Sequence, residues 1–407
     1  MGEEGSFVAP GWVLDGQGRL LRELKPHMGR RLPDFDYSQR RIYEITIVLE
    51  DRRPILGRLV KRGEGDWAVE PTEIGGIVLA CWREIAVRWP QVELIEDQLM
   101  PEHFHGVLFV KEQLPKGKSL GNIIGSFKSR STSEVGKYLA ARGEGLGNPA
   151  ARGEGLGNLA ARGEGPNRGL GSARGRVRPR FWADGYVDSI LFGKGQLARM
   201  IHYLRDNPRR LGVKREHPEL FKVTRELKIE GIVRFSAIGN HFLLTRSAFH
   251  QIQVSRRYFA YARDARGNLL KDAPPAAATH EFEEKLAAAL AAGKGGAVLV
   301  SPCISQGERE IARRAFAAGY RVITLANKGF SPLYKPGGKL FESCAAGNLL
   351  MLAPAQWPYQ LAEKPMTRVD ALVLNRIAQL IAGEGACEID YKGVTLANVD
   401  AEVRKVV

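Results

Sequence analysis

Near-copies of one decapeptide interrupt the middle of this chain, and they limit what the rest can become. AARGEGLGNP starts at Ala140, AARGEGLGNL at Ala150, and AARGEG again at Ala160. Glycine is dense here and large apolar side chains are sparse, so the stretch buries too little surface to offset its conformational entropy. Ten residues is also too short a period for a stacking structural repeat. Residues 138–178 are therefore expected to be a disordered, basic insert. The ordered parts must be built from the segments on either side of it.

With 407 residues, 44% of them hydrophobic and 26% charged, the chain has ordinary globular composition and material for two domains. The expected division is 1–230 and 231–407. No run of 18 apolar residues occurs, which argues against a membrane span. The start, MGEEGSFVAPGW, has neither the basic nor the apolar region of a secretory signal. Cys81, Cys303, Cys344 and Cys387 form no CxxC pair, which suits a reducing, cytoplasmic setting. The formal net charge is +15, most of it before residue 297. Such a surplus favours a polyanion as partner, nucleic acid before membrane.

Hydrophobic periodicity organises the first part. Tyr43–Leu49 reads as a strand. Over 72–89, Ile74, Ile77, Val78, Cys81, Trp82, Ile85 and Trp89 fall on one helical face. Val92–Met100 and Phe104–Val110 read as strands, and Ser119–Arg130 as a second helix. This order implies an α+β domain, with helices on one face of an antiparallel sheet. Gly195–Asn207 is a further helix with a core stripe of Leu197, Ile201 and Leu204, which Pro208 is expected to end. The last third alternates: strands at Phe235–Thr245, Ala297–Ser301, Arg321–Ala326 and Asn348–Leu352, with helices at Ser305–Gly319 and Thr367–Ala382. Alternation of this kind implies an α/β domain with a parallel sheet.

The sharpest chemical signal is Met100-Pro-Glu-His-Phe-His-Gly106. Residues i and i+2 of a strand share a face, so His103 and His105 aim together as a two-point metal clamp. A hundred residues later, Tyr203 and Asn207 stand four apart on one helix and share a side. Each signal alone has a bland reading: exposed polar histidines, a half-buried packing tyrosine, a helix-ending asparagine.

Together they resemble the HUH-type single-strand transposases, closest to the REP-associated tyrosine transposase branch. The resemblance rests on Tyr43-Glu-Ile-Thr-Ile, Cys81-Trp-Arg-Glu-Ile, Met100-Pro-Glu-His-Phe-His-Gly-Val, Ser126-Phe-Lys-Ser and Ile201-His-Tyr-Leu-Arg-Asp-Asn-Pro. It covers roughly 38–212 without the repeat insert. It implies a ferredoxin-like α+β fold and a metal-dependent DNA-cleaving and -joining enzyme. His103, His105 and the Asn207 amide oxygen would hold Mg²⁺ or Mn²⁺. Tyr203 would attack the scissile phosphate and form a 5′-phosphotyrosine. Single-stranded or hairpin DNA is the implied partner, with Lys128, Arg130, Arg205, Arg209 and Arg210 as backbone contacts, and the setting would be nucleoid-associated. The chain departs from the family's pattern at Glu102 and in the insert itself. Tyr186 is the rival nucleophile.

The last domain is loosely similar to the Rossmann-like domains of DNA-processing-A proteins. Ser305 and Gly307 at the start of a helix are candidate phosphate contacts there. Ser305 and Glu308 also read as a simple capping box. Two other readings stand beside the transposase: a catalytically inactive DNA-binding derivative, and a nucleotide-binding α/β protein acting through its last domain. A homodimer remains an open reading of assembly.

Overall fold

The computed structural model describes residues 12–14, 20–22, 35–145, 180–193, 195–229, 232–265, 267–332, 334–360, 365–383, 385–387 and 393–406. The expected insert lies outside the described residues from 146 onward. Its first residues, through Ala141, instead continue a helix. The chain divides into two compact units, Lys25–Val213 and Lys214–Val407, the second joined by Met1–Leu24. Strands β1 (Trp12–Leu14) and β2 (Leu20–Arg22) pair antiparallel.

In the unit Lys25–Val213 the elements run β3 (Arg41–Val48), β4 (Gly57–Gly63), β5 (Asp66–Pro71), α1 (Glu73–Arg88), β6 (Val92–Leu99), β7 (His103–Val110), α2 (Leu120–Ala141) and β8 (Val187–Leu191). Helix α3 (Gln196–Glu216) follows. Four strands form an antiparallel sheet in the order β6-β7-β3-β8. The period of two divides its side chains cleanly. Tyr43, Ile45 and Ile47 of β3 pair with Leu108, Gly106 and Phe104 of β7 on one face. That face takes the helices: Trp82 of α1 and Phe127 of α2 both meet Phe104, with ring centres 4.9 and 5.8 Å away. Gly106 is required there, since a Cβ would run into the Trp82 ring. Thr72 caps α1 by accepting from the Gly75 N–H, and Ser119 and Asn122 cap α2 reciprocally.

One element here is unforeseen and one expectation fails. The hairpin β4–β5 is absent from the sequence reading, because its short strands carry mostly charged and half-buried residues. Pro208 does not end α3, which continues to Glu216. Proline removes one backbone donor, but Leu204, Pro208 and Gly212 are all buried along one side of the helix, and that burial offsets the lost bond.

The second unit begins with α4 (Pro218–Phe221), β9 (Thr224–Ile229), β10 (Ile232–Gly239), a 3₁₀ turn (His241–Thr245) and β11 (Phe249–Gln251). The expected strand Phe235–Thr245 therefore stops at Gly239, whose φ of 115° breaks it. Small pairs follow: β12 (Phe259–Ala260) with β15 (Ala277–Ala278), and β13 (Ala262–Arg263) with β14 (Leu269–Leu270). Then come α5 (His280–Lys294), β16 (Val298–Ser301), α6 (Gln306–Ala317), β17 (Val322–Leu325), α7 (Lys339–Ala345), β18 (Leu349–Pro354), α8 (Arg368–Ala382) and α9 (Leu396–Val406). The sheet order is β11-β16-β17-β18-β10-β9. The first four strands are parallel, as the alternation predicts. β10 and β9 are antiparallel, so the sheet is mixed. Leu299 and Val322 pack with α5 and α6 on one face, and Val300 and Ile323 with α8 and α9 on the other.

Candidate active site

The face of the first sheet opposite α1 and α2 carries Glu44 and Thr46 from β3, His103 and His105 from β7, and Glu96 and Gln98 from β6. His103 and His105 do share this face, with ring centres 4.8 Å apart. His105 is 7% exposed and Glu44 is 5% exposed. Glu44 Oε1 lies 2.9 Å from His105 Nδ1. Thr46 Oγ1 lies 2.9 Å from the same nitrogen and donates to Glu44 Oε1 at 2.8 Å. A carboxylate at Nδ1 fixes the tautomer that leaves Nε2 as the lone-pair donor, which is the usual support for a metal-binding imidazole.

Helix α3 is tied to this face. Arg205 Nη2 and Nε donate to the Glu96 carboxylate at 2.7 and 3.3 Å. Further along, Gly212 lies so close to the Trp67 ring of β5 that a Cβ would collide with it. Tyr203 precedes the fully buried Leu204 and is itself 48% exposed. Asn207 stands one turn on from Tyr203. Its Nδ2 is buried with no hydrogen-bond partner among the described residues. A buried amide with bonding capacity unspent calls for an explanation.

The expected backbone contacts are all engaged within the protein. Lys128 donates to the carbonyls of Ala183 and Gly185 at 2.6 and 2.9 Å, and burial lowers its pKa. It fastens the segment leading to Tyr186, the rival nucleophile, which is buried in the core. Arg130 pairs with Glu84 at 2.6 Å. Arg209 donates to Asp206 at 2.6 Å, and Arg210 reaches the same carboxylate at 3.9 Å. A polyanion would have to compete with these acids.

In the second unit, Ser305 and Gly307 are used by the fold. Ser305 Oγ accepts from the Glu308 N–H at 3.0 Å, and the Glu308 carboxylate takes the N–H groups of Val254, Ile304 and Ser305. Gly307 is buried where a Cβ would meet Val254. The donors that would have cradled a phosphate already hold a carboxylate.

The two imidazoles and their carboxylate support suit a divalent cation. Among the described residues, no three His, Cys, Asp or Glu side chains converge in a metal-holding arrangement. The third donor expected from the sequence is the Asn207 amide oxygen, and Asn207 is carried by α3. Sequence reasoning missed Glu44 and Glu96. The alternation in Tyr43-Glu-Ile-Thr-Ile already sets Glu44 and Thr46 on the polar face, and that signal was legible.

No family model matches the chain. An uncharacterised protein of Haemophilus influenzae is 31% identical over 88 residues, which is 22% of this chain and 46% of that protein. The chain thus spans under half the length of this curated relative. Among solved structures, a REP-associated tyrosine transposase bound to a REP hairpin aligns with 45% of this chain and 74% of its own, at 12% identity and a TM-score of 0.27. A candidate transposase from Deinococcus radiodurans aligns with 43% of this chain and 95% of its own, at 13% identity and a TM-score of 0.23. Among the described residues, no helix is long and apolar enough to cross a membrane.

Proposed function

We propose that the chain is a metal-dependent endonuclease and transposase of single-stranded, hairpin-associated DNA, with Tyr203 as its nucleophile. On this reading the first unit is a ferredoxin-like catalytic domain, and the second is Rossmann-like. The observation that carries the reading is the His105–Glu44 contact of 2.9 Å beside His103, on the face to which Arg205 ties α3. His103, His105 and Asn207 would hold Mg²⁺ or Mn²⁺, and such a cation polarises a phosphate and neutralises its charge.

Glu44 holds the Nδ1 side of His105, which fixes the ring and aims Nε2 away from the carboxylate. The phenol oxygen of Tyr203 forms a bond to phosphorus while the bond from phosphorus to the 3′ oxygen breaks. The phenolic proton passes to solvent, and the departing oxygen takes one up as a 3′-hydroxyl. The 5′-phosphotyrosine keeps the energy of the broken bond, so attack by a 3′-hydroxyl rejoins a strand without a nucleotide cofactor. The exposure of Tyr203 is compatible with a strand reaching it.

The test is incubation with labelled hairpin DNA and Mn²⁺, followed by denaturing electrophoresis. The wild type should form a covalent protein–DNA adduct. Tyr203→Phe should form none, and its melting temperature should be unchanged because the ring is half exposed. An adduct formed by Tyr203→Phe overturns the nucleophile. Salt-sensitive binding without an adduct on any hairpin favours an inactive DNA-binding derivative.

A further inference from the structure

The second unit holds a cavity of about 1070 Å³ that the chemistry above does not use. Its walls include Gln253–Tyr258, which follow β11, and Ile304 and Ser305, which follow β16. These strands are parallel, so the cavity lies beyond their C-terminal ends, where the loops of such sheets leave room for ligands.

The lining has two characters. Arg256, Arg257, Lys285 and Arg368 supply positive charge. The acid among the lining residues, Glu308, is 2% exposed and spends its carboxylate on the backbone N–H groups of Val254, Ile304 and Ser305. Val254, Ile304, Met366 and Leu372 add an apolar wall. The Arg257 guanidinium lies over the Tyr258 ring, 5.0 Å from its centre, and donates to its hydroxyl at 3.0 Å. A guanidinium and an aromatic ring each offer a face on which a planar ring can stack. The helix starts are not the anchor. Their capping boxes already use the N–H groups of Ser305 and Glu308 in α6, and of Thr367 and Asp370 in α8.

We propose that this cavity binds a nucleoside phosphate, with its phosphate toward Arg256, Lys285 and Arg368 and its base against Arg257 and Tyr258. An apolar wall alone would suit a neutral ligand, and cations alone would suit inorganic phosphate. Their adjacency selects a molecule that carries both parts. The site is independent of Tyr203 and the histidine pair.

Isothermal titration of the full chain with AMP, GMP, CMP and UMP, and with adenosine and inorganic phosphate as partial ligands, tests it. At least one monophosphate should bind saturably and at least tenfold tighter than either partial ligand. Arg256→Ala with Lys285→Ala should weaken that binding tenfold or more, and the melting temperature of the free protein should hold. Absence of monophosphate binding overturns the proposal. So does adenosine binding as tightly as AMP, or an unaltered affinity in the double variant. Binding of a single-stranded oligonucleotide that the double variant loses, with no mononucleotide binding, reassigns the cavity to polynucleotide and also overturns it.

Discussion

Glu44 shows how much one residue can decide. It is an acid on the polar face of β3, and it is buried beside His105 at 2.9 Å. Burying a carboxylate is costly unless it is bonded, so its place implies a partner and a task. Glu44→Gln keeps the volume but removes the charge that holds the Nδ1 proton. Mn²⁺ affinity should then fall by about tenfold to a hundredfold, as supporting carboxylates usually affect metal affinity by that factor. Mn²⁺ titration followed by electron paramagnetic resonance reads this, and unchanged affinity refutes the role. Cys344 offers a second test at this scale. Burial pushes its thiol from 9.0 up to about 12. The folded state therefore keeps a proton that the unfolded chain loses above about pH 9. Stability from this group is fully present below pH 9 and is lost as pH rises toward 12. Cys344→Ala should flatten the alkaline slope of the unfolding free energy, and an unaltered slope contradicts the burial argument.

At the scale of elements, α3 is the piece on which the proposed chemistry turns. It carries Tyr203 and Asn207, is tied at Arg205 to Glu96, and meets Trp67 at Gly212. Glycine in a helix interior usually costs about 1 kcal/mol relative to alanine. Here the sign should reverse, because the ring occupies the space a methyl needs. Gly212→Ala should destabilise by about 1–3 kcal/mol in denaturant unfolding. It should also lower adduct formation with Tyr203 intact. Pairing it with Trp67→Ala should recover part of the loss, since the two changes act on one contact. A stabilised Gly212→Ala would show that α3 is not seated on the hairpin.

At the scale of the whole molecule, two cores matter. Trp82, Phe104 and Phe127 belong to one. Val300, Ile323 and Leu374 belong to another. Units with separate cores are expected to unfold in separate transitions. Calorimetry should resolve two, and Mn²⁺ should raise only the one that belongs to Lys25–Val213, because a ligand stabilises the unit that binds it. A single transition that moves as a whole with Mn²⁺ would refute this separation. The charge of +15 acts at the same scale, and DNA affinity should fall linearly on a log–log plot against salt.

Features that depend on a few neighbouring residues were legible in the amino-acid order. The shared face of His103 and His105 follows from the two-residue period of a strand, and the Ser305–Glu308 box from the spacing of a helix start. The parallel run from β16 to β18 follows from alternation of strand and helix. The hairpin β4–β5 was not legible because its charged, half-buried strands carry no clear alternation; the passage of α3 through Pro208 and the antiparallel β10 were not, because contacts with distant parts of the chain settle them. The pairings that make the site are of that second kind. Glu44 meets His105 across 61 residues, and Glu96 meets Arg205 across 109. Local periodicity says which way a side chain points. Only the folded chain, once its long loops have closed, decides which side chain stands opposite.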